Sequence, residues 1–334
     1  MENKLFALLI SLLIAIFPAS PLSAEGHNAW KFAVTGVAHP YFDPMESAVQ
    51  DFTKATAIHA LYRATQHFDQ EEANLIINGL LQNGYNGFAM WPGHPSEVNE
   101  TISKLVNKGI DVILITGPAE LPTQASLCIA TDVGTSAAKG TEHLIQRMGY
   151  KGNIVNLLGQ INDPNVAIRK KAIENTVRRY PDVKIITQLS EIDDFEMAKI
   201  KIGDYLKTNG DQVDGLICTA YVGTVVTAEL LYKRKNKRIK FIGIDDDPIV
   251  LEAIKNGYVT GVMTQAPYAQ AYLALEGLMY LKKGHRLKKD TYFIDSGTFL
   301  VTKENIETYK SQIKVNLNKM RTSFLQDYFE QKDP

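Results

Sequence analysis

Short apolar segments rich in β-branched residues alternate along the chain with segments whose apolar residues lie three and four positions apart. The first pattern predicts strands and the second predicts amphipathic helices. Two helical segments, ANLIINGLLQNG and VNETISKLVNKG, end at a glycine, which is a typical stop signal. The alternation predicts parallel sheets covered by helices on both faces. The strand segments, in chain order, are WKFAVTGV, IHALYRAT, YNGFAMW, DVILIT, SLCIAT, GNIVNLLG, VKIITQL, VDGLICTA, IKFIGID and VTGVMTQ.

The pattern changes near residues 130–132. The strands DVILIT and SLCIAT follow each other without a helix, and Asp132 then stands at a favourable position to cap a new helix. Near the end, the extended stretch YFIDSGTFLVTKENI precedes a long polar helix. Since the chain is long enough for two separate cores, we expect two α/β lobes joined by several short crossings.

The first 24 residues are predicted to be a secretory signal peptide. The apolar run LFALLISLLIAIF is shorter than the roughly 20 residues of a membrane span, and small residues follow it up to Ala24. We place the cleavage after Ala24. Because no cysteine follows that position directly, a lipid anchor is not expected, and the mature chain should lie outside the cytoplasm, in a periplasm.

Composition excludes some function classes and leaves others open. Lys and Arg number 36 against 37 Asp and Glu, so no overall positive charge attracts nucleic acid. The chain has no His-Glu-x-x-His, Gly-x-Ser-x-Gly, Cys-x-x-Cys or phosphate-loop motif, which argues against an enzyme, a metal site and a cofactor. Its two cysteines, Cys128 and Cys218, are more simply buried free thiols than a disulfide, although an oxidising compartment would permit one.

Candidate binding residues follow from the predicted parallel sheets. In such folds the ligand binds at the carboxyl ends of the strands, where the loops meet. The stretch TGVAHPYFDPM holds Tyr41 and Phe42 on a corner bracketed by Pro40 and Pro44. These two rings either cover the core or form a wall for a flat, partly apolar ligand. The residues selected by this rule are His39–Phe42, Trp91, Thr116, Asn162–Asn165, Ile192–Asp193, Tyr221, Asp245–Asp247 and Gln265.

Several stretches, taken together, resemble the periplasmic sugar-binding proteins of the ribose- and galactose-binding type, the ligand receptors of ABC importers. The resemblance runs from about residue 31 to about residue 306. The stretches that carry it are HPYF, GLLQNGYNGFAMWPGHPSEVNETISKLVNKGIDVILI, CIATDVGTSAAKG, FIGIDDDPIVLEAIKNGYVTGVMTQAPYAQA and FLVTKENI.

The resemblance implies a type I periplasmic binding protein fold, in which two Rossmann-like lobes with parallel sheets are joined by three hinge crossings near Thr131, Gln265 and Asp295. Lobe 1 would comprise residues 25–131 and 266–295, and lobe 2 residues 132–265 and 296–310. Residues 311–334 would form a C-terminal helical extension. This extension either packs on lobe 2 or binds a partner, and packing on lobe 2 is the simpler expectation.

The family's ligand contacts transfer unevenly to this chain. His39, Tyr41 and Phe42 fall on contact positions, where the family's aromatic pair sandwiches a sugar ring. Asp245 matches an aspartate that accepts protons from ligand hydroxyls, and Gln265 matches a glutamine at a crossing. Such an ionised carboxylate makes strong, charge-assisted hydrogen bonds.

Other positions depart from the family pattern. Thr116-Gly117 replaces an Asp-Arg pair, and Ala220-Tyr221 replaces an Asn or Asp. A ligand-binding Arg is replaced by Ala167, while Arg169 matches a neighbouring Arg that is more often structural. Trp91 and Tyr221 add aromatic surface. We therefore expect a small ligand, neutral or weakly polar, with fewer hydroxyls held by charge.

Simpler structural explanations exist for each candidate. Tyr41 and Phe42 could cap the core, Asp245 could cap a helix, and Gln265 could hold the hinge backbone. The remaining candidates, which could instead serve packing, turns, caps or surface ion pairs, are His39, Trp91, Asn165, Arg169 and Tyr221. The resemblance implies a receptor, monomeric like others of this type, that delivers a small sugar-like ligand to an ABC importer permease. The alternative is a subunit that presents its ligand to a membrane sensor kinase or chemoreceptor.

Overall fold

The computed structural model describes residues 30–161 and 163–331. The predicted signal peptide lies outside these residues. The strands, in chain order, are β1 (Lys31–Val37), β2 (His59–Thr65), β3 (Gly87–Met90), β4 (Asp111–Ile115), β5 (Leu127–Ala130), β6 (Gly152–Leu157), β7 (Val183–Leu189), β8 (Gly215–Cys218), β9 (Lys240–Ile244), β10 (Gly261–Thr264), β11 (His285–Leu287), β12 (Phe293–Asp295), β13 (Phe299–Thr302) and β14 (Phe329–Gln331). Each of the ten predicted strand segments contains one of the strands β1 to β10.

Helices follow most of these strands. They are α1 (Asp43–Thr56), α2 (Gln70–Gln82), α3 (Val98–Val106), α4 (Val133–Arg147), α5 (Pro164–Val177), α6 (Phe195–Asn209), α7 (Tyr221–Lys233), α8 (Pro248–Lys255), α9 (Pro267–Lys282) and α10 (Tyr309–Tyr328). The predicted glycine stops of α2 and α3 are confirmed, because Gly84 and Gly109 just beyond these helices have φ of 81° and 72°. Asp132 caps α4 as predicted, accepting the Thr135 backbone N–H at 2.9 Å.

Two six-stranded sheets form the two lobes. The first sheet has the order β12-β5-β4-β3-β1-β2 and is parallel throughout. The second has the order β13-β10-β9-β8-β6-β7, and only β13 in it is antiparallel. A separate hydrophobic core covers each face of each sheet. The chain passes between the lobes after β5, after β10 and after β12, as a type I periplasmic binding protein fold requires.

The C-terminal helix α10 contacts both lobes. Tyr309, in its first turn, is buried in the core of the second sheet. Leu317 and Phe324, further along, are buried in the core of the first sheet. The strand β14 then pairs antiparallel with β11, which follows α9. The expectation that this segment packs on lobe 2 therefore holds only for its first turns, because its larger apolar side chains cover α9 on lobe 1.

Cys128 and Cys218 are both free and buried, on β5 and β8 of different sheets. This confirms the prediction of unpaired thiols. Burial raises the pKa of each thiol to about 12, so both stay protonated. Across residues 30–161 and 163–331, no helix combines the length and apolar character that crossing a membrane requires.

Candidate ligand-binding site

The predicted site residues lie at the carboxyl ends of the two parallel sheets. On the first sheet, His39 follows β1, Trp91 follows β3 and Thr116 follows β4. On the second sheet, Tyr221, Asp245 and Gln265 follow β8, β9 and β10, while Asn165 and Arg169 lie on α5. The two groups meet across the cleft, since the rings of His39 and Tyr221 pack edge to face with centroids 4.8 Å apart.

Aromatic side chains form one wall of this cleft. Phe42 packs edge to face against Tyr41 and Trp91, with ring centroids 5.0 and 6.2 Å apart respectively. Gly36 permits this arrangement, because a Cβ at that position would stand 2.6 Å from the ring of Phe42. The ring of Tyr41 stays only partly buried, and its hydroxyl donates a hydrogen bond to Gln270 Oε1 at 3.1 Å.

Phe42 and Trp91 also belong to the hydrophobic core. Phe42 is 3% exposed and Trp91 is 7% exposed, and both pack into the core on one face of the first sheet. Burial of Phe42 and Trp91 supports the core explanation for these two rings. Tyr41, His39 and Tyr221 are the less buried rings.

Phe68 extends the aromatic wall, and the sequence reasoning missed it. Its ring lies 5.7 Å from that of His39 and 5.8 Å from that of Trp91, centroid to centroid. It is nevertheless 62% exposed, which is unusual for a phenylalanine in contact with three other rings. The signal was available, because Phe68 follows the predicted strand IHALYRAT by three residues and so stands at a carboxyl end.

Asp245 lies at the carboxyl end of β9 in a left-handed backbone conformation, with φ of 64°. Its carboxylate accepts a hydrogen bond from Gln265 Nε2 at 3.2 Å. Burial raises the pKa of this carboxyl from 3.8 to about 6, although the Gln265 bond and the charge of Arg169 act in the opposite direction. Aspartate adopts this conformation more readily than most non-glycine residues, and Thr116, Ala57 and Tyr150 are among the other residues of the described chain that do so.

The two neighbouring aspartates have structural partners. Asp247 caps α8 by accepting the Ile249 N–H at 2.7 Å, and its other oxygen accepts the Tyr221 hydroxyl at 2.7 Å. Asp246 accepts the hydroxyl of Tyr309 at 2.6 Å. Asp247, and not Asp245, therefore caps α8.

Arg169 lies on α5, at the base of the cleft, and donates from Nη1 to the Thr219 backbone oxygen at 3.4 Å. Its positive charge lowers the pKa of both Asp245 and Asp193. The pKa of Asp193 is nevertheless raised overall, because burial outweighs that effect. Asp193 also accepts the Gln160 N–H at 2.7 Å. Arg169 thus lies in the electrostatic field of two carboxylates on neighbouring loops.

Two further candidates lie where lobe 1 approaches lobe 2. Thr116 has φ of 71°, so the chain ends β4 in the same left-handed conformation that Asp245 adopts after β9. A Cβ built on Gly117 would stand 3.8 Å from Asn165 Nδ2, which places Asn165 against the loop of the other lobe. Within the described part of the chain, no group of three His, Cys, Asp or Glu could hold a metal ion.

Two α/β lobes that face each other across a hinged cleft, with rings and a carboxylate at its edges, define a class of solute-binding proteins. The chain belongs to the periplasmic binding protein domain family, whose match covers residues 31–286. The predicted fold class and family resemblance are confirmed.

Two relatives of established name are similar to most of the chain. A xylitol-binding protein from Mycolicibacterium smegmatis is 22% identical over 78% of this chain and 74% of its own length. A D-apiose import binding protein from Paraburkholderia graminis is 21% identical over 91% of this chain and 96% of its own length.

Solved structures show the same fold at similar identity. A solute-binding protein of an ABC transporter from Burkholderia graminis, in complex with D-arabinose, gives a TM-score of 0.77 at 22% identity, covering 85% of this chain and 98% of that one. XylFII in its complex with LytSN gives a TM-score of 0.71 at 19% identity, covering 82% of this chain and 98% of that one.

Proposed function

We propose that this protein captures a small sugar or sugar-like polyol between its two lobes and delivers it to the permease of an ABC importer. The observation that carries the proposal is the contact of His39 and Tyr221 across the cleft, at the carboxyl ends of both sheets. A ring wall suits the C–H face of a sugar, and a carboxylate suits its hydroxyls. The names of the similar proteins support the same ligand class.

Each predicted contact residue has a role in this proposal. Tyr41, Phe42, Phe68 and Trp91 form the apolar wall, and His39 and Tyr221 close it from opposite lobes. Burial lowers the pKa of the His39 imidazole, so the ring is neutral near pH 7. Polar contacts to the ligand come from Asp245, Gln265, Arg169, Asn165 and Thr116.

The proposal includes where and how the protein works. The mature chain is extracytoplasmic, monomeric and not an enzyme. The ligand stabilises the closed arrangement of the lobes because it contacts both of them there, and the permease recognises that closed form.

The first test is the identity of the ligand. The mature protein is purified without refolding, and small molecules released by denaturation are identified by mass spectrometry. Calorimetry with D-arabinose, xylitol, D-apiose, D-ribose, D-galactose and myo-inositol then measures affinity. We expect tight binding of at least one pentose or polyol, recovered chemically unchanged. No binding across this panel together with no co-purifying sugar would contradict the proposal, and a converted product would indicate an enzyme.

A second function, presentation of the ligand to a membrane sensor, has one observation in its favour. XylFII, which shares the fold, also occurs in a complex with LytSN. Neighbouring genes separate the two functions, since permease and ATPase genes accompany an importer and a kinase gene accompanies a sensor. Transport of the labelled ligand in a strain lacking this protein provides the direct measurement.

A further inference from the structure

A fully buried glutamine, Gln270, lies where the three crossings between the lobes come together. It belongs to the first turn of α9, and its backbone N–H donates to the Ala266 oxygen at 3.0 Å, directly after the second crossing. Its side-chain Nε2 donates to Thr131 Oγ1 at 3.3 Å and to Ser296 Oγ at 3.1 Å. Thr131 lies on the first crossing and Ser296 on the third.

The third hydrogen bond of this side chain reaches the ring of Tyr41. Gln270 Oε1 accepts the hydroxyl of Tyr41 at 3.1 Å. Gln270 and Ser296 are 0% exposed and Thr131 is 3% exposed, so bulk water does not replace these bonds. The amide group of Gln270 therefore contacts one aromatic ring, Tyr41, and one hydroxyl on each of the first and third crossings. The helix that carries Gln270 starts directly after the second crossing.

Buried amides and hydroxyls without partners are unfavourable, so this set of hydrogen bonds resists partial breakage. A rotation of lobe 2 changes the backbone at Thr131 and Ser296 first, because these residues belong to the crossings. Gln270 passes that change to the hydroxyl of Tyr41, and a ligand that fixes the Tyr41 ring acts along the same path in reverse.

We propose that Gln270 is a positioning residue that couples the aromatic ligand wall to the hinge. It holds the ring of Tyr41 at the orientation that the closed lobes require, without contacting the ligand itself. This inference rests on the proposed ligand-binding function and adds to it the residue through which ligand contact and lobe orientation are linked.

The test is the substitution Gln270→Met, which keeps the side-chain length and removes all the amide's hydrogen bonds. Two measurements are made on the mature protein. Calorimetry gives the affinity for whichever compound of the panel the wild type binds. Spin labels at Glu71→Cys on α2 and Lys207→Cys on α6, both exposed positions, give the distribution of interlobe distances without ligand. The native thiols are buried and do not compete for the label.

The matched control is Gln70→Met. Gln70 is another buried glutamine of lobe 1, 5% exposed, which bonds Asn74 and the His94 N–H away from the crossings. Both substitutions remove an amide's hydrogen bonds from a buried site, so both lower the melting temperature. We expect Gln270→Met alone to weaken ligand affinity about tenfold, the scale of one or two lost hydrogen bonds, and to broaden the interlobe distances.

A double-mutant cycle tests the coupling directly. Tyr41→Phe keeps the ring and removes the hydroxyl, so its effect and that of Gln270→Met should overlap, with a combined loss smaller than the product of the single losses. Independent, multiplicative losses overturn the inference. So does a Gln270→Met protein that is less stable yet has wild-type affinity and wild-type distances.

Two outcomes of the main experiment require a further measurement. If Gln270→Met fails to fold, Thr131→Val and Tyr41→Phe each remove one of the bonds of Gln270, although Thr131→Val also removes the bonds of Thr131 Oγ1 to Ser296 and Gly297. Unchanged distances and affinity in both variants overturn the inference. If the wild type binds no compound of the panel, the proposed function fails. The distance distribution of the ligand-free Gln270→Met protein still decides the role of Gln270 at the hinge, with wild-type distances overturning it.

Discussion

Asp245 suits the proposed role of a ligand anchor, and opposing influences act on the pKa of its carboxyl. Burial raises its pKa to about 6, while Gln265 and Arg169 favour the ionised form and Asp246 opposes it. The adjoining aspartates are occupied by Ile249, Tyr221 and Tyr309. A ligand hydroxyl that donates to Asp245 would replace the hydrogen bonds with water that this carboxylate loses on burial.

Replacing Asp245 with alanine should weaken ligand binding at least about tenfold, the scale of losing one charge-assisted hydrogen bond in a buried site. Isothermal calorimetry of the two proteins measures the change. Glu252→Ala, an exposed carboxylate on the following helix, serves as the control and should bind like the wild type. Equal affinity of Asp245→Ala and wild type would mean that this carboxylate does not contact the ligand.

Ligand affinity should also depend on pH. The ligand hydroxyl donates to the ionised carboxylate, so binding favours loss of the proton, and affinity should fall as the pH drops through about 6. Calorimetry between pH 5 and pH 7.5 measures the profile. Asp245→Asn should remove the inflection, whereas His39→Gln should keep it. A flat profile in the wild type would mean that the ionisation of Asp245 does not affect binding. An inflection that disappears only in His39→Gln would assign the titration to His39.

At the scale of elements, α10 is part of the folded body rather than an appendage. Arg321 pairs with Glu276 of α9 at 2.9 Å, and its guanidinium lies 4.2 Å from the ring centroid of Tyr272. Phe324 of α10 is 0% exposed and packs against Tyr280 of α9. At its other end, Tyr309 reaches Asp246 in lobe 2. The helix therefore adds a further connection between the lobes, on the side of the hinge.

Removing the Phe324 side chain should destabilise lobe 1. Phe324→Ala leaves a cavity between α10 and α9 and should lower the free energy of unfolding by about 3–5 kcal/mol. Val315→Ala on the same helix, where the side chain is 67% exposed, should change it by less than about 0.5 kcal/mol. Urea unfolding followed by circular dichroism measures both. If Phe324→Ala costs no more than Val315→Ala, then α10 does not contribute to the core.

At the scale of the whole molecule, the two lobes face each other across one cleft and are joined by three short crossings. A hydrogen bond ties two of the crossings to each other, since the Asp295 carboxylate accepts the Asp132 backbone N–H at 3.0 Å. Short, hydrogen-bonded crossings permit rotation about one axis more readily than free movement in every direction. Under the proposed function, a ligand that contacts both lobes would favour the closed orientation.

Saturating ligand should make the protein more compact. Small-angle X-ray scattering of the mature protein should give a smaller radius of gyration with ligand than without it, because the cleft closes. Tyr221→Ala, which removes the lobe 2 ring that contacts His39, should retain the fold and reduce the change. An unchanged radius in the wild type at saturating ligand would contradict closure as the binding mechanism.

The sequence determined the elements, since strand and helix periodicity depends on residues close together along the chain. Every strand segment from WKFAVTGV to VTGVMTQ was predicted for that reason. The carboxyl-end rule then selected the cleft residues, because parallel topology alone fixes where loops meet.

Only the tertiary structure decided which distant residues share a site. Gln270 lies 229 positions from Tyr41 and 139 from Thr131, and no local pattern marks that encounter. The same holds for Phe324 of α10, which packs against α9. Local periodicity indicates which face of a helix or strand is apolar. Which other element covers that face depends on packing the whole chain at once.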